Sequence, residues 1–133
     1  MSLPSEGWAL KAEHDFKIGK RELTFDDPVT DMVCFHMQQC VEKYLKAYLA
    51  FRGIPFRRTH DIAELIELCR KADPEFEALY ELRADKLTRY AVEARYPEEF
   101  FVPDLEEARE AFRIAEAVRQ WIKGKLPLPG GAS

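Results

Sequence analysis

Residues that bind metals or form disulfides are scarce in this sequence of 133 residues. It has three cysteines, Cys34, Cys40 and Cys69, and three histidines that stand far apart. The odd number of cysteines and the absence of a Cys-x-x-Cys pair argue against a disulfide framework, and the histidines lack the spacing of a zinc site. We therefore predict three cysteines in the core and a protein with no metal and no cofactor.

Long apolar runs and glycine-rich loops are absent as well. No stretch approaches the roughly 18 apolar residues of a membrane span, and residues 1–6 lack the basic and apolar regions of a secretory signal. None of the six glycines lies in a phosphate-binding or dinucleotide-binding loop, and no nucleophile elbow occurs. We expect a cytoplasmic protein that does not bind membranes and does not use conventional nucleotide chemistry.

The size and the hydrophobic pattern favour one all-α domain. The chain is 47% hydrophobic and 33% charged, with a net charge of −4. No run alternates apolar and polar residues between turn signals, so we predict no strand. We expect an up-and-down bundle of four main helices with a shorter one alongside, formed by residues 1–125, and a flexible tail over residues 126–133. The negative net charge means that any phosphate site must be local.

Capping signals and helix breakers give the limits of five helices. An Asp-Pro pair at residues 27–28 and another at residues 73–74 each supply an N-cap followed by the favoured first-turn proline. Asp104 and Glu107 form a possible capping box before the last helix. The predicted helices cover residues 6–21, 28–51, 61–71, a segment from residue 74 that ends before residue 97, and 105–124.

One predicted helix face carries more polar chemistry than packing requires. Between residues 35 and 49, four polar residues fall within a sector of roughly 80° on a helical wheel: His36, Gln39, Lys43 and Lys46. The opposite side is apolar and comprises Val33, Met37, Cys40, Val41, Tyr44, Leu45 and Tyr48. The polar face fits an anion, but an ordinary solvated surface explains it as well. For His36, a bond to a neighbouring carboxylate is the main alternative. Asp15, near the apolar side of the first helix, requires a buried partner.

Three further residues are candidates for ligand contacts. Thr59 or Asp61 caps the third helix and places His60 at its N-terminus, where free amides favour an anion. Arg95 precedes a helix-breaking proline, and its guanidinium fits bidentate contacts with phosphate, whereas Tyr96 beside it fits stacking on a base. A structural ion pair and simple packing are the alternatives for these two residues.

Three separated motifs together resemble the HEPN family, the "higher eukaryotes and prokaryotes nucleotide-binding" domain. The motifs are FHMQQCVEKYLKA at residues 35–47, RTHD at residues 58–61 and ARYP at residues 94–97. The resemblance covers nearly the whole chain and implies a compact bundle of four to five helices that is usually a homodimer. Small prokaryotic members are often encoded beside a minimal nucleotidyltransferase, with which they form a toxin–antitoxin pair or a nucleotide-transfer complex.

The sequence departs from the ribonuclease members of that family, which use an arginine and a histidine a few residues apart near the last helices. No histidine follows Arg95, and the seven residues between Arg52 and His60 do not fit the family spacing. The tyrosine that follows this motif, and that receives a nucleotide in some partner systems, has no counterpart here. We therefore predict no catalytic residues, and the resemblance does not support enzymatic activity.

The leading hypothesis is a non-catalytic HEPN protein that binds a nucleotide or RNA phosphate and works with a nucleotidyltransferase. The predicted ligand-binding residues are His36, Gln39, Lys43, Lys46, His60, Arg95 and Tyr96. In one alternative the chain is a homo-oligomeric interaction module, in which Glu42 and Glu93 neutralise Lys43 and Arg95. In another it is a metal-independent ribonuclease with a non-standard site that combines His36 or His60 with Arg95.

Overall fold

The computed structural model describes residues 3–91 and 102–127, and every regular element in these ranges is helical. This confirms the predicted all-α class and the helical bundle. The elements are α1 (Leu3–Glu22), α2 (Thr30–Phe51), α3 (Ile62–Ala72), a 3₁₀ turn (Pro74–Glu77), α4 (Ala78–Glu81), a 3₁₀ segment (Ala84–Tyr90) and α5 (Leu105–Lys123).

The bundle is organised around α2. This helix packs most extensively against α1 and also contacts α3, α5 and the 3₁₀ segment Ala84–Tyr90. Its predicted apolar side is buried at every position: Val33, Met37, Cys40, Val41, Tyr44, Leu45 and Tyr48. Each large apolar side chain removed from water contributes roughly 1.5–3 kcal/mol before entropy is counted, so this helix supplies much of the core.

α2 begins later than the Asp-Pro pair at residues 27–28 predicts. Its N-cap is Val29, whose side chain makes no cap bond. The Val29 amide donates to the carboxylate of Glu22 at 2.8 Å, and the Thr30 hydroxyl donates to the carbonyl of Pro103 at 2.6 Å. Contacts with the end of α1 and with the segment before α5 accompany this start, so the prediction from local capping alone is wrong here.

Local capping signals do define the starts of α3 and α5. The Asp61 carboxylate caps α3 by accepting from the amide of Glu64 at 3.3 Å. The Asp104 carboxylate caps α5 by accepting from the amide of Glu107 at 2.8 Å. α5 ends at Lys123, one residue before the predicted end of this helix near Gly124.

The predicted fourth helix is broken into short pieces. Asp73 caps the turn Pro74–Glu77, but Arg83 adopts a left-handed conformation with φ 68°. A left-handed residue with a side chain costs roughly 1–2 kcal/mol and cannot continue a right-handed helix. The helical spacing nevertheless identified residues that reach the core: Phe76, Leu79, Ala84 and Leu87.

All three cysteines are free and buried, as predicted for core residues. Burial raises the pKa of the Cys34 thiol to about 12, and it also raises the pKa values of Cys40 and Cys69. These thiols therefore stay protonated at neutral pH and act as small apolar groups.

Gly19 allows α1 and α2 to approach each other closely. A Cβ atom at this position would collide with the Cε atom of Met37 and would lie 3.5 Å from the Cβ atom of His36. Met37 is fully buried, so its methyl group has little room to move. The missing side chain of Gly19 therefore sets the spacing of the two helices beside His36.

Glu13 connects three helices. Its carboxylate accepts two hydrogen bonds from Arg119 on α5, at 2.6 and 2.8 Å, and a short one from the Tyr44 hydroxyl on α2. The Lys123 ammonium lies 3.7 Å away. Burial alone would raise the pKa of Glu13, but hydrogen bonds from Arg119 and Tyr44 and the charges of Arg119 and Lys123 lower it to about 2.

No helix within residues 3–91 and 102–127 is long and apolar enough to cross a bilayer. Leu126, the first residue of the predicted tail, is 4% exposed and belongs to the core. The Lys125 ammonium before it lies 2.8 Å from the Asp73 carboxylate. Residues 128–133 lie outside the described residues, so a flexible tail there stays a prediction.

We expect Glu13→Gln to destabilise the protein at neutral pH and to matter less in acid. A lowered pKa stabilises the fold above about pH 4.5, and this contribution disappears as the pH falls toward about 2. Because 35% of the Glu13 side chain is exposed, we discount the effect to about 1–2 kcal/mol in the free energy of unfolding. Urea unfolding of both proteins at several pH values measures the difference, and a difference that stays constant down to pH 3 would contradict the assignment.

Candidate functional site

The polar side of α2 is covered by other parts of the chain. Gln38 is 0% exposed, Glu42 2% and Lys46 5%, while His36, Gln39 and Lys43 are partly buried. The alternative of an ordinary solvated surface is therefore wrong for Lys46. The polar residues of this side fall into two clusters, each centred on one carboxylate.

The Asp15 cluster consists of Asp15 on α1 with His36 and Lys43 on α2. The His36 Nδ1 atom lies 2.8 Å from one carboxylate oxygen, and the Lys43 Nζ atom lies 2.6 Å from the other. Asp15 therefore has two partners, both of them partly buried, and the alternative of a bond to a carboxylate is confirmed for His36. The charges of Asp15 and Lys43 cancel, so with a neutral imidazole the cluster carries no net charge.

The Glu42 cluster consists of Glu42, Gln38, Lys46 and His60. One carboxylate oxygen of Glu42 bonds to Gln38 Nε2 at 2.7 Å and to His60 Nδ1 at 2.8 Å. The other oxygen accepts from the Lys46 ammonium at 2.7 Å. Gln39 extends the cluster, because its Nε2 atom donates to the Oε1 atom of Gln38 at 2.7 Å. Glu42 therefore ties α2 to the segment before α3.

Two aromatic rings flank the Lys46 ammonium. It lies 5.2 Å from the centre of the Trp8 ring and 6.0 Å from the centre of the Phe56 ring. Cation–π contacts of this kind stabilise an ammonium that has lost its water. Lys46 is available to a ligand only if its pair with Glu42 opens.

The N-terminus of α3 beside His60 has fewer free amides than the sequence suggested. The Ile62 amide donates to the Thr88 hydroxyl at 3.1 Å, and the Glu64 amide donates to Asp61. These two amides are therefore not available to an anion, so the helix amides contribute less to an anion site here than the sequence analysis expected.

The segment of residues 52–60, which we call the basic segment, carries three arginines and His60 without any acidic residue. Arg57 is 70% exposed and makes two hydrogen bonds to Glu64, at 2.8 and 2.6 Å. Arg58 is exposed, and the His60 side chain is 56% exposed. This segment is therefore a local concentration of cations on a chain whose net charge is negative.

Pairings within the site differ in part from those proposed on sequence. Glu42 was proposed to neutralise Lys43, but it bonds to Lys46 and His60, and Lys43 bonds to Asp15. Sequence reasoning also missed Gln38. Gln38 lies four residues before Glu42, and Lys46 lies four residues after it. This spacing places the three side chains next to one another on the helix and is the signal that would have identified them as a group.

Arg95, Tyr96 and Glu93 lie outside the described residues, so a meeting of Arg95 and Tyr96 with the polar side of α2 stays a prediction. In residues 3–91 and 102–127, no group of three or more His, Cys, Asp or Glu side chains is arranged to hold a metal ion.

Comparison with known proteins agrees with the resemblance that the motifs suggested. A family model described as the HEPN domain matches residues 5–125. This chain belongs to the HEPN family. A curated relative from Methanocaldococcus jannaschii, named "Putative toxin MJ1304", is 32% identical over an alignment of 136 positions, which spans 89% of this chain and 88% of the relative.

A solved HEPN structure shares the fold. The crystal structure of ST0689, described as an archaeal HEPN homologue, matches with a TM-score of 0.71 at 26% sequence identity. The match covers 94% of this chain and 98% of that chain. The helical bundle described above is therefore a HEPN bundle over nearly its whole length.

We expect Glu42→Gln to lower the free energy of unfolding by about 3–5 kcal/mol, because it leaves the buried Lys46 ammonium without its counter-charge. The double variant Glu42→Gln with Lys46→Met should recover most of this loss, since no unpaired buried charge remains. Urea unfolding followed by circular dichroism measures both effects.

Glu77→Gln is the matched control, because it removes a carboxylate from an exposed pair with Arg70. It should change stability little. The single variant Lys46→Met completes the comparison. If the double variant loses as much stability as Glu42→Gln and Lys46→Met do when their separate losses are added, the assignment of a buried pair is contradicted.

Proposed function

We propose that this HEPN protein binds a nucleotide or RNA phosphate beside α2 and acts as the toxin-type member of a pair with a minimal nucleotidyltransferase. The relative named as a toxin covers nearly the whole chain, which supports the toxin-type role. The resemblance of the sequence to small prokaryotic HEPN proteins supports the nucleotidyltransferase partner. Such a pair would act in the cytoplasm.

The observation that carries the binding proposal is the position of His60. Its imidazole is more than half exposed, yet its Nδ1 atom is bonded to the buried carboxylate of Glu42. The bond to Glu42 holds the imidazole of this surface histidine in one orientation. A ligand can therefore contact the ring without a further loss of rotamer entropy. The basic segment around it supplies the cations that a phosphate group requires.

Charge compensation distinguishes the candidate cations. Lys43 and Lys46 are each bonded to a carboxylate, so neither offers a surplus charge. Arg58 is exposed and lies two residues before His60. We therefore assign phosphate contact first to Arg58 of the basic segment, because Arg57 is itself bonded to Glu64. His36, Gln39 and Lys43, together with Arg95 and Tyr96, are the proposed remainder of the same site.

We propose a homodimer as well, and one exposed apolar surface favours it. The bond between Thr30 and Pro103 joins the start of α2 to the segment before α5. Four apolar side chains lie at or near these two segments and are 37–72% exposed: Val29, Met32, Val102 and Leu105. Contiguous exposed apolar side chains are typical of protein interfaces.

Isothermal calorimetry with ATP, GTP and a short single-stranded RNA tests the binding proposal. We expect binding that weakens as salt increases, because phosphate contacts release counterions. Arg58→Ala should weaken it about ten- to a hundredfold, the effect of losing one charge-assisted contact. Lys17→Ala, which removes an exposed cation on α1 away from the basic segment, should have little effect. No detectable binding at millimolar ligand would contradict the proposal.

Growth of a bacterial host that expresses this chain tests the toxin-type role. Induction should slow growth, and co-expression of a minimal nucleotidyltransferase encoded beside this gene should restore it. Unchanged growth while the protein accumulates in folded form would contradict a toxin-type role. A failure of the nucleotidyltransferase to restore growth would contradict the assigned partner alone.

A further inference from the structure

The hydrogen bonds of the Glu42 cluster all run toward one carboxylate. A carboxylate paired with an ammonium accepts hydrogen bonds at both oxygens and donates none. Gln38, Lys46 and His60 must therefore all act as donors to Glu42. This sets the direction of every bond in the cluster.

The same constraint fixes the tautomer of His60. Because Nδ1 donates to Glu42, a neutral imidazole has no hydrogen on Nε2, which is left as an acceptor. The two ring nitrogens point in nearly opposite directions. Glu42 is buried and the His60 side chain is 56% exposed, so the Nε2 atom is turned away from the core.

The hydrogen bonds from Gln39 through Gln38 also run toward Glu42, so this end of the cluster has an acceptor on its outside as well. Gln38 donates its Nε2 hydrogen to Glu42, so its Oε1 atom accepts from the Nε2 atom of Gln39. Gln39 is then left with its Oε1 atom as an acceptor. With a neutral His60 ring, the cluster thus presents acceptors at both outer ends, His60 and Gln39, and it carries no net charge because Glu42 and Lys46 cancel.

A neutral acceptor next to exposed cations fits a particular part of a nucleic acid. In RNA the 2′-hydroxyl, a hydrogen-bond donor, lies beside the 3′-phosphate, which needs cations. His60 follows the exposed Arg58 by two residues along the basic segment. A phosphate oxygen alone would be a poor partner for Nε2, because both atoms are acceptors when the ring is neutral.

We propose that the Nε2 atom of His60, oriented by Glu42, accepts a hydrogen bond from a ribose 2′-hydroxyl, and that this contact makes the protein discriminate RNA from DNA. This rests on the proposed function, since it presumes binding at the basic segment. Glu42 is a positioning residue in this scheme, and His60 is the residue that determines the sugar specificity.

The probes are one single-stranded oligonucleotide sequence made as RNA, as 2′-fluoro RNA and as DNA. The 2′-fluoro form keeps the sugar conformation of RNA but has no 2′-hydroxyl hydrogen to donate. Comparing it with RNA therefore separates recognition of the hydroxyl group from recognition of strand shape. Fluorescence anisotropy gives the three affinities. We expect RNA to bind about three- to tenfold more tightly than the 2′-fluoro form, which is the effect of one neutral hydrogen bond.

The variants His60→Phe and His60→Gln test the assigned atom. Phenylalanine has no acceptor, so the preference for RNA over the 2′-fluoro form should fall to about one. Glutamine carries an acceptor at about the reach of Nε2 and should keep part of the preference. Glu42 is left unchanged, because its substitution breaks the pair with Lys46. His14→Phe, at an exposed histidine on α1, should leave the preference intact.

The outcomes separate the two proposals. No binding of any probe would overturn both the proposed function and this inference. Equal binding of RNA and its 2′-fluoro form would overturn the inference alone, as would an RNA preference that survives in His60→Phe with thermal stability retained. Weaker binding of all three probes by His60→Phe, in equal measure, would show that His60 contacts phosphate or base and would also overturn it.

Discussion

The pairing of Glu42 with Lys46 is the interaction on which the site depends. Both groups are almost fully removed from water, and each would be strongly unfavourable alone. Together they impose one arrangement on their neighbours, because Trp8 and Phe56 flank the ammonium while Gln38 and His60 bond to the carboxylate. A pair that contributes modestly to net stability thus determines where a surface imidazole points.

The second constraint is that much of the polar side of α2 is buried as well as its apolar side. A helix that is apolar on one side alone can leave its polar side in water. Here the polar side is also covered, by α1 and by the segment before α3, so each charged group on it requires an internal partner. Asp15 and Glu42 meet that requirement for the two lysines, and both carboxylates have a second bond to a histidine. The polar side of α2 is therefore part of the packing of the bundle and also part of the candidate site.

Features with a local physical cause could be predicted from the sequence. The caps at Asp61 and Asp104 follow from residues three positions apart, and the buried side of α2 follows from helical spacing. Features set by distant contacts could not. The start of α2 is accompanied by a contact with Pro103, and the pairing of Lys43 with Asp15 joins two helices through residues that are 28 positions apart in the sequence. The left-handed Arg83 breaks a segment whose apolar spacing looks continuous.

Gly19 affects the packing beside the Asp15 cluster, although it has no side chain of its own. It lies one turn from Asp15 on α1, and its missing side chain brings the backbone of that helix close to His36. The distance between Asp15 and His36 is therefore a property of the helix spacing as well as of the two side chains. A larger residue at position 19 would have to displace the terminal methyl group of Met37, whereas its Cβ atom would lie in ordinary contact with His36. In a related chain, the sizes of the residues at positions 19 and 37 should therefore vary together.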